Sequence, residues 1–454
     1  HEFPRVVPIA RIHAAHDDLG EGEETDYAYR VAGRIHARRG HGKAAFIDLD
    51  DRSGRIQLHA RADVLGDESH ELLLSLDLGD LVGVDGTAFK TRRGELSLRV
   101  DEWQLLAKSL RPPPEKFHGL EDVETRYRHR ELDLIANEEV RDLFIMRSKV
   151  VSAVRHWLDA RGFIEVETPV LQPLYGGALA RPFTTHHNAL GKDLYLRIAT
   201  ELYLKRLIVG GLERVYEIGK DFRNEGISYK HNPEFTMLEW YEAYADYHRI
   251  ADELEELVET AAQHVGYDGE IDFSRPWRRV ALRDAIRDET GLDVLELRDR
   301  DALVAAAKEK DIELDPTAVW AQLVDHLLSK HVEPKIVNPT FIVDYPKELS
   351  PFAKDHRTES GLVERFEAFA GGMEFANAFT ELNDPDEQRA RFEQERRHAA
   401  EGDEETQPFD TDFIQALEHG MPPTGGIGVG IDRLVMLLAG KRSMREVVLF
   451  PAMK

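Results

Sequence analysis

The chain reads as an α+β protein in two parts, and three observations predict it. Residues 29–106 break into short β-type runs separated by turns rich in Gly or Asp. A proline run, Arg111-Pro112-Pro113-Pro114, then forbids a helix and holds the backbone extended. After Ala199, helices and strands alternate without a regular βαβ rhythm, so an antiparallel or mixed sheet is expected.

The first part predicts strands at residues 31–37, 44–48, 55–60, 81–89 and 95–106. Turns such as Arg39-Gly40-His41-Gly42 and Asp51-Arg52-Ser53-Gly54 separate most of them. One helical patch, residues 61–76, comes before the fourth strand. Five strands with a helix before the fourth are the pattern of a small OB-type barrel, whose strand face binds single-stranded nucleic acid. The barrel is expected over residues 1–108 and a linker over 109–138, charged and Arg-rich between 121 and 131.

In the second part, residues 139–160 form an amphipathic helix: Leu143, Phe144, Val151, Val154, Trp157 and Leu158 recur at helical spacing. Arg161-Gly162-Phe163 breaks it, and a strand over 164–168 stops at Pro169. Residues 247–265 and 279–331 look helical, the latter as an insertion (about 279–335) in a unit running from 139 to 454.

Composition narrows the function. With 454 residues, 42% hydrophobic and 32% charged, this is a soluble, multidomain composition. No apolar run approaches the ~18–20 residues that span a bilayer, which argues against a membrane protein. Residues 1–10 lack the basic-then-apolar order of a secretory signal, although the chain starts at His rather than Met, which suggests a missing upstream piece. Zero cysteines exclude a disulfide scaffold, a thiolate zinc site, an iron–sulfur cluster and a cysteine nucleophile, and fit a cytoplasmic protein. A net charge of -26 excludes a protein that coats nucleic acid nonspecifically, so any nucleic acid must meet a local patch. Two candidates lie in the barrel: residues 31–60 carry six Lys/Arg against three Asp, and 89–100 carry four against one Glu. Residues 381–405 reverse the balance, with ten acids against four bases. Solvated faces are the alternative for all three runs, evenly balanced for the two basic ones and strongly favoured for the acidic one.

Three stretches carry chemistry. Residues 222–241 read as strand, polar loop, strand. Residues two apart share a face of a strand, so Phe235, Met237, Glu239 and Tyr241 point one way and Thr236, Leu238 and Trp240 the other. Arg223 and Glu225 likewise share a face. Buried charges need partners, so the charged face suggests a ligand site or a set of internal salt bridges. In residues 374–381, Asn377, Phe379 and Glu381 share one parity, and Glu367 and Glu374 lie upstream. Two carboxylates suit Mg²⁺, but strict alternation puts Glu374 opposite Glu381 unless a bulge re-aims it. In residues 424–438, four glycines let a ligand lie close to the backbone, with Asp432 placed as a helix N-cap and Arg433 in the first turn. The spacing Gly426-x-Gly428-x-Gly430 is not the dinucleotide fingerprint.

Residues 162–169 (GFIEVETP), the hairpin at Arg223 and the strand–helix at Gly430-Ile431-Asp432-Arg433 resemble motifs one, two and three of class II aminoacyl-tRNA synthetases, in order. The runs at 176–183 (GGALARPF), 197–202 (RIATEL), Tyr345-Pro346 with Ser350-Pro351, and 379–383 (FTELN) are most similar to bacterial-type lysyl-tRNA synthetases. The resemblance covers nearly everything from Tyr29 to the end. It implies a class II catalytic domain, an antiparallel sheet flanked by helices. It also implies that ATP and lysine form lysyl-adenylate, that lysine then passes to tRNA(Lys), that Mg²⁺ is used, and that the first motif forms a homodimer.

The resemblance implies roles residue by residue. Arg223 clamps the substrate carboxylate and α-phosphate, a bidentate task suited to Arg. Phe235 and Arg433 sandwich the adenine. His231 and Arg433 approach the terminal phosphates, with Asn232 beside them. Glu225 meets the adenine amino group, and Glu367 and Glu374 hold Mg²⁺. Gly177 and Glu201 receive the α-ammonium and Asn377 the carboxylate side, with Gly430 close by. Phe379 lines the methylenes. Charge supports the pocket independently, because Glu239 and Glu381 with the Tyr241 hydroxyl make an anionic cage that a terminal ammonium would satisfy. In the barrel, Phe46, Gln57 and Glu95 match positions that read the central anticodon base, by stacking and edge hydrogen bonds, and Arg34 is a phosphate or base contact.

Some residues depart from the family pattern. Glu131 stands where Tyr is expected, Ala378 replaces Gly and should narrow the room beside the substrate, and the N-terminal helix is short or absent. His186 and His187 suggest a metal only weakly against a structural role. An aspartyl- or asparaginyl-tRNA synthetase would need a cationic or amide pocket where Glu239 and Glu381 stand. A synthetase-like RNA-binding or diadenosine-polyphosphate-forming protein would be favoured by loss of Arg223 or Arg433, and both are present. A paralogue that lysylates protein lacks the barrel.

Overall fold

The computed structural model describes residues 2–40, 42–113, 120, 122–400 and 408–453, without the side chains of 398–400. His41 of the expected turn, Pro114 of the proline run, most of 114–121 in the expected linker and the end of the acidic run lie outside the described residues. The chain divides into two compact units: residues to Arg126 with Glu131–Asn137, and Tyr127–Arg130 with Glu138 onward.

In the first unit, β1 (Glu24–Arg39), β2 (Ala44–Asp51), β3 (Gly54–Arg61), β4 (Leu81–Lys90) and β5 (Leu96–Ala107) close into a barrel in the order β1-β2-β3-β5-β4. All pairs are antiparallel except β3 with β5. Period-two alternation builds it: Val31, Ile35, Ile47, Leu49, Ile56 and Leu58 point inward and are buried. β1 begins well before the expected residue 31. The expected helix over 61–76 is two helices, Ala62–Leu65 and Asp67–Ser75, separated at Gly66. A seven-residue helix, Ile9–Ala15, puts Ile9 and Ile12 into the barrel core. Short helices Val123–Arg128 and Arg130–Ala136 occupy much of the expected linker.

The second unit contains β6 (Ile164–Glu165), β7 (Leu171–Gln172), β8 (Thr184–His187), β9 (Lys192–Leu196), β10 (Arg214–Phe222), β11 (Glu234–Ala243), β12 (Arg278–Ala281), β13 (Thr340–Pro346), β14 (Leu362–Ala370), β15 (Met373–Thr380) and β16 (Thr424–Gly430). Eight of them form one sheet, β12-β13-β14-β15-β16-β11-β10-β6, parallel only at β12–β13 and β10–β6. One face packs on the helices Glu138–Asp159, Tyr247–His264 and Ile431–Leu438 through Leu238, Trp240, Phe366, Phe375 and Val429. The opposite face lines the site described below.

Two expectations change here. The strand expected over 164–168 is only β6, because the Thr168 N–H and hydroxyl donate to Glu217 Oε2 (3.1 and 2.7 Å) and turn the chain off the sheet. The insertion is not wholly helical: it opens with β12 at the sheet edge, then the helices Leu282–Thr290, Arg300–Lys308 and Trp320–Leu327 and a π turn, Leu328–Val332. These bury Leu282, Ile286, Leu303 and Leu323 in a second core shared with Ile342 of β13 and Val363 and Phe369 of β14.

Candidate active site

A cavity of about 630 Å³ opens on the free face of the large sheet. Every site residue expected in the second unit lines it: Gly177, Glu201, Arg223, Glu225, His231, Asn232, Phe235, Glu239, Tyr241, Glu367, Glu374, Asn377, Phe379, Glu381, Gly430 and Arg433. Alternation accounts for most of this. In β11, Phe235, Met237, Glu239 and Tyr241 all reach the cavity while Leu238 and Trp240 pack behind the sheet.

At one end the walls are anionic and buried. Glu239 accepts hydrogen bonds from the Thr200 N–H (3.1 Å) and the Tyr241 hydroxyl (2.9 Å). Burial, reinforced by the nearby Asp221 and Glu201, pushes the Glu239 carboxyl up to about 8. Burial also holds Glu381 well above the ordinary carboxylate range and raises Glu201. Gly426 pairs across the sheet with both Tyr241 and Phe379. A Cβ there would sit 2.0 Å from Glu381 Oε1 and 2.4 Å from the Tyr241 ring, so only Gly leaves the carboxylate its place. Gly177 has φ +87°, a region that disfavours side chains, and lies against Ala199 and Glu201.

One residue of this end escaped the sequence reading. Lys205, fully buried on the helix Glu201–Val209, places its ammonium 2.5 Å from Glu201 Oε1 and against Glu381. The only signal was its i,i+4 spacing from Glu201, which usually marks an exposed helix pair.

The other end carries charges of both signs, Arg223 and Arg433 beside Glu225, Glu367 and Glu374. The Arg223 guanidinium lies 5.1 Å from the Phe235 ring centroid and donates a long hydrogen bond (3.5 Å) to Ile198 O. Glu225 is exposed, and His231 bonds Ser228 Oγ (2.8 Å). Burial and then Arg433 lower the His231 pKa, favouring the neutral ring. The Asn232 side chain donates to Glu234 O (2.6 Å) and accepts from the Ala452 N–H (3.2 Å), so it holds the loop. Asp432 is not the N-cap: Gly430 is, and Asp432 sits in the first turn, accepting from the Thr236 N–H (2.7 Å) and pairing with Arg147 (2.6 Å). Arg433 occupies the first turn as expected and donates to Glu374 O (2.7 Å) and Glu374 Oε2 (2.9 Å).

A bulge decides the Glu374 question. The β14–β15 register shifts between Ala368↔Ala376 and Phe369↔Glu374, which turns Glu374 onto the cavity side with Asn377 and Phe379. Glu367 accepts from the Tyr345 hydroxyl (2.8 Å) and Arg365 (2.6 Å). Burial, with Glu374 adding repulsion, pushes Glu367 up to about 7. Two hard oxygen donors facing a space for phosphates fit Mg²⁺, which keeps most of its shell for water and substrate. Among the described residues no cluster of three or more metal-ligating side chains occurs. His186 and His187 lie on exposed β8, where His186 pairs with Asp193 (2.7 Å). Ala378 packs behind the sheet, not in the cavity, so it does not narrow the substrate's room.

On the barrel, the alternation that buries Ala45, Ile47 and Leu49 turns Phe46 outward rather than into the core. Its ring stacks on His59 at 4.6 Å and 11°, and His59 leads to Phe89 at 5.7 Å. Gln57 Oε1 accepts from Ser97 Oγ (3.0 Å), Arg34 donates to Gly79 O (2.7 Å) and Glu95 is exposed. His59 and Phe89 were missed, although His59 shares parity with Gln57 in β3 and stands opposite Phe46 in the register.

Residues 122–454 match the family described as tRNA synthetases class II (D, K and N), and residues 29–106 match an OB-fold nucleic acid binding domain. The chain is 51% identical to the lysine–tRNA ligase of Carboxydothermus hydrogenoformans, covering 98% of this chain and 93% of that protein. It is 53% identical to that of Moorella thermoacetica (96% and 90%) and 49% identical to that of Clostridium perfringens (99% and 92%). The chain belongs to the class II tRNA synthetases, and within them to the lysine–tRNA ligases.

Proposed function

We propose that the protein activates L-lysine with ATP and transfers it to tRNA(Lys). The observation that carries the substrate choice is the buried cage of Glu201, Glu239 and Glu381 with Tyr241, three carboxylates against the single ammonium of Lys205, an excess of negative charge that a cationic side chain would offset. A lysine carboxylate oxygen attacks the α-phosphorus of ATP. The bond to the bridging oxygen breaks, and pyrophosphate leaves with the electron pair. A terminal ribose hydroxyl of the tRNA then attacks the carbonyl carbon, loses its proton and expels AMP. The carboxylate is already nucleophilic, so catalysis is positioning and charge stabilisation.

Arg223 clamps the carboxylate and α-phosphate, with Phe235 beneath the adenine and Arg433 over it. Glu225 meets the base, and His231 with the loop held by Asn232 meets the phosphates. Asn377, Gly177, Phe379 and Gly430 border the lysine. Glu367 and Glu374 hold Mg²⁺, which when bound neutralises phosphate charge. Phe46, Gln57, Glu95 and Arg34 meet the anticodon. A homodimer is supported by exposed Ile164, Val170 and Leu171 beside the first motif, and a fully active monomer would contradict it. A cytoplasmic location agrees with the absence of cysteine and of any helix, among the described residues, long and apolar enough to cross a membrane.

The test is amino-acid-dependent ATP–pyrophosphate exchange with all twenty amino acids, followed by charging of tRNA(Lys). Exchange with lysine alone is expected. Exchange with aspartate or asparagine instead would overturn the reading of the cage. No exchange at all would favour a non-charging RNA-binding role.

A further inference from the structure

The cage holds three carboxylates, yet it already contains a cation that is not on its wall. Lys205 is absent from the cavity lining, and its side chain is 0% exposed. Its ammonium takes Glu201 Oε1 and one oxygen of Glu381, and lies over the rings of Phe352 (5.1 Å) and Phe379 (5.4 Å). Glu381 Oε1 remains buried, with no hydrogen-bond partner among the described residues, against Gly426. Glu239 keeps its Thr200 and Tyr241 partners and meets no cation there. The nearest other cations are committed elsewhere. Arg197 bridges Glu217 and Asp221 behind the cage, and Arg365 holds Glu367, Asn377 and Ser350.

We propose that Lys205 is a positioning residue for the amino-acid substrate. It is a resident ammonium that fixes Glu201 and Glu381 and leaves their cage, with Glu239, two net negative charges to match the α- and ε-ammonium groups of lysine. Once ionised in the lysine complex, three carboxylates and one ammonium give minus two, which matches the two ammonium groups of lysine, whose own carboxylate lies toward Arg223. Without Lys205 the same three buried carboxylates would face one another with no resident cation between them. They would ionise only at higher pH. This inference rests on the lysine reading of the cavity.

The groups facing Lys205 set the pH behaviour. On its own helix this is Glu201. Just beyond β15 it is Glu381; Glu239 and Tyr241 of β11 bear on those two carboxylates, and Asp221 of β10 on Glu239. Burial lowers the Lys205 pKa, but Glu201 and Glu381 outweigh it, so the ammonium stays charged. Burial keeps all three carboxyls above their ordinary range, with Glu239 at about 8, so lysine binding at pH 7 draws a proton from Glu239.

The experiment compares wild type, Lys205→Met and Lys205→Arg in lysine-dependent ATP–pyrophosphate exchange between pH 6.5 and 9. Lys205→Met is expected to raise the lysine KM about tenfold or more at pH 7, the effect of about one unit of pKa. Its kcat and ATP KM should change little, and its lysine KM profile should move to higher pH. Lys205→Arg, which keeps the charge, should restore the profile. A lysine KM unchanged in Lys205→Met, or raised with no shift of the profile, overturns the inference. If Lys205→Met does not fold, Lys205→Gln takes its place in the same assay, and a lysine KM and pH profile equal to wild type would overturn the inference. Calorimetry of lysine binding at pH 7 in buffers of different ionisation enthalpy should show net proton release, and no release would contradict the charge balance. Wild type with no lysine-dependent exchange would instead sink the lysine reading itself.

Discussion

The ligand-facing surfaces of the two units are built by the same alternation and differ in their access to water. On the barrel, Phe46 and Gln57 are half-buried side chains on a face whose inward neighbours make the core. In the large sheet both faces are covered, one by helices and the other by the cavity walls, so Glu239 and Glu381 are carboxylates 5% and 1% exposed. A water-exposed face can recognise by stacking, with modest energies per contact. A buried face makes each unpaired charge expensive, so it discriminates sharply and its residues are interdependent. The lesson is that substrate choice should be concentrated in the sheet, and nucleic-acid affinity distributed over the barrel.

The largest expected effect lies in the cage. Glu239→Gln removes a charge that the substrate ammonium needs, at a cost of about 3–4 kcal/mol, so kcat/KM for lysine in exchange should fall by several hundredfold. An effect under tenfold would place the side-chain ammonium elsewhere. Arg223→Lys keeps the charge but loses the planar fork, and should lower kcat by about a hundredfold with a smaller change in lysine KM. Phe46→Ala removes one stacking platform, worth ~1–3 kcal/mol, and should raise the tRNA KM about tenfold in charging.

The smallest effect is a pH dependence. Glu239 is raised from 4.5 to about 8, so the empty folded protein binds more protons than the unfolded chain between those values. Its contribution to stability therefore falls as pH rises through that window. Lysine binds the ionised form, so the thermal shift it produces should grow from pH 6.5 to 8.5. A shift that is flat or falls with pH would mean that Glu239 is ionised in the empty site.

Much of this was legible in the sequence because strand parity is a strong rule. Phe235, Glu239 and Tyr241 fell on one face from spacing alone, and the barrel strands followed from alternating apolar residues and turns. The misses have physical causes. Glu374 reaches the cavity only through a bulge, which parity cannot foresee. Ala378 is expected beside the substrate only by analogy, whereas its parity opposite to Asn377 and Phe379 turns it to the helices. Asp432 was read as a local cap, but its carboxylate serves Thr236 and Arg147, both distant in sequence. Lys205 looked like half of an ordinary helix pair, and only the fold brings Glu381 to it.

The measurement that bears most directly on this division is exchange without tRNA, run side by side on Glu239→Gln and Phe46→Ala. Exchange lost in the first and equal to wild type in the second is the predicted result. Exchange retained by Glu239→Gln, or lost in Phe46→Ala, would contradict it.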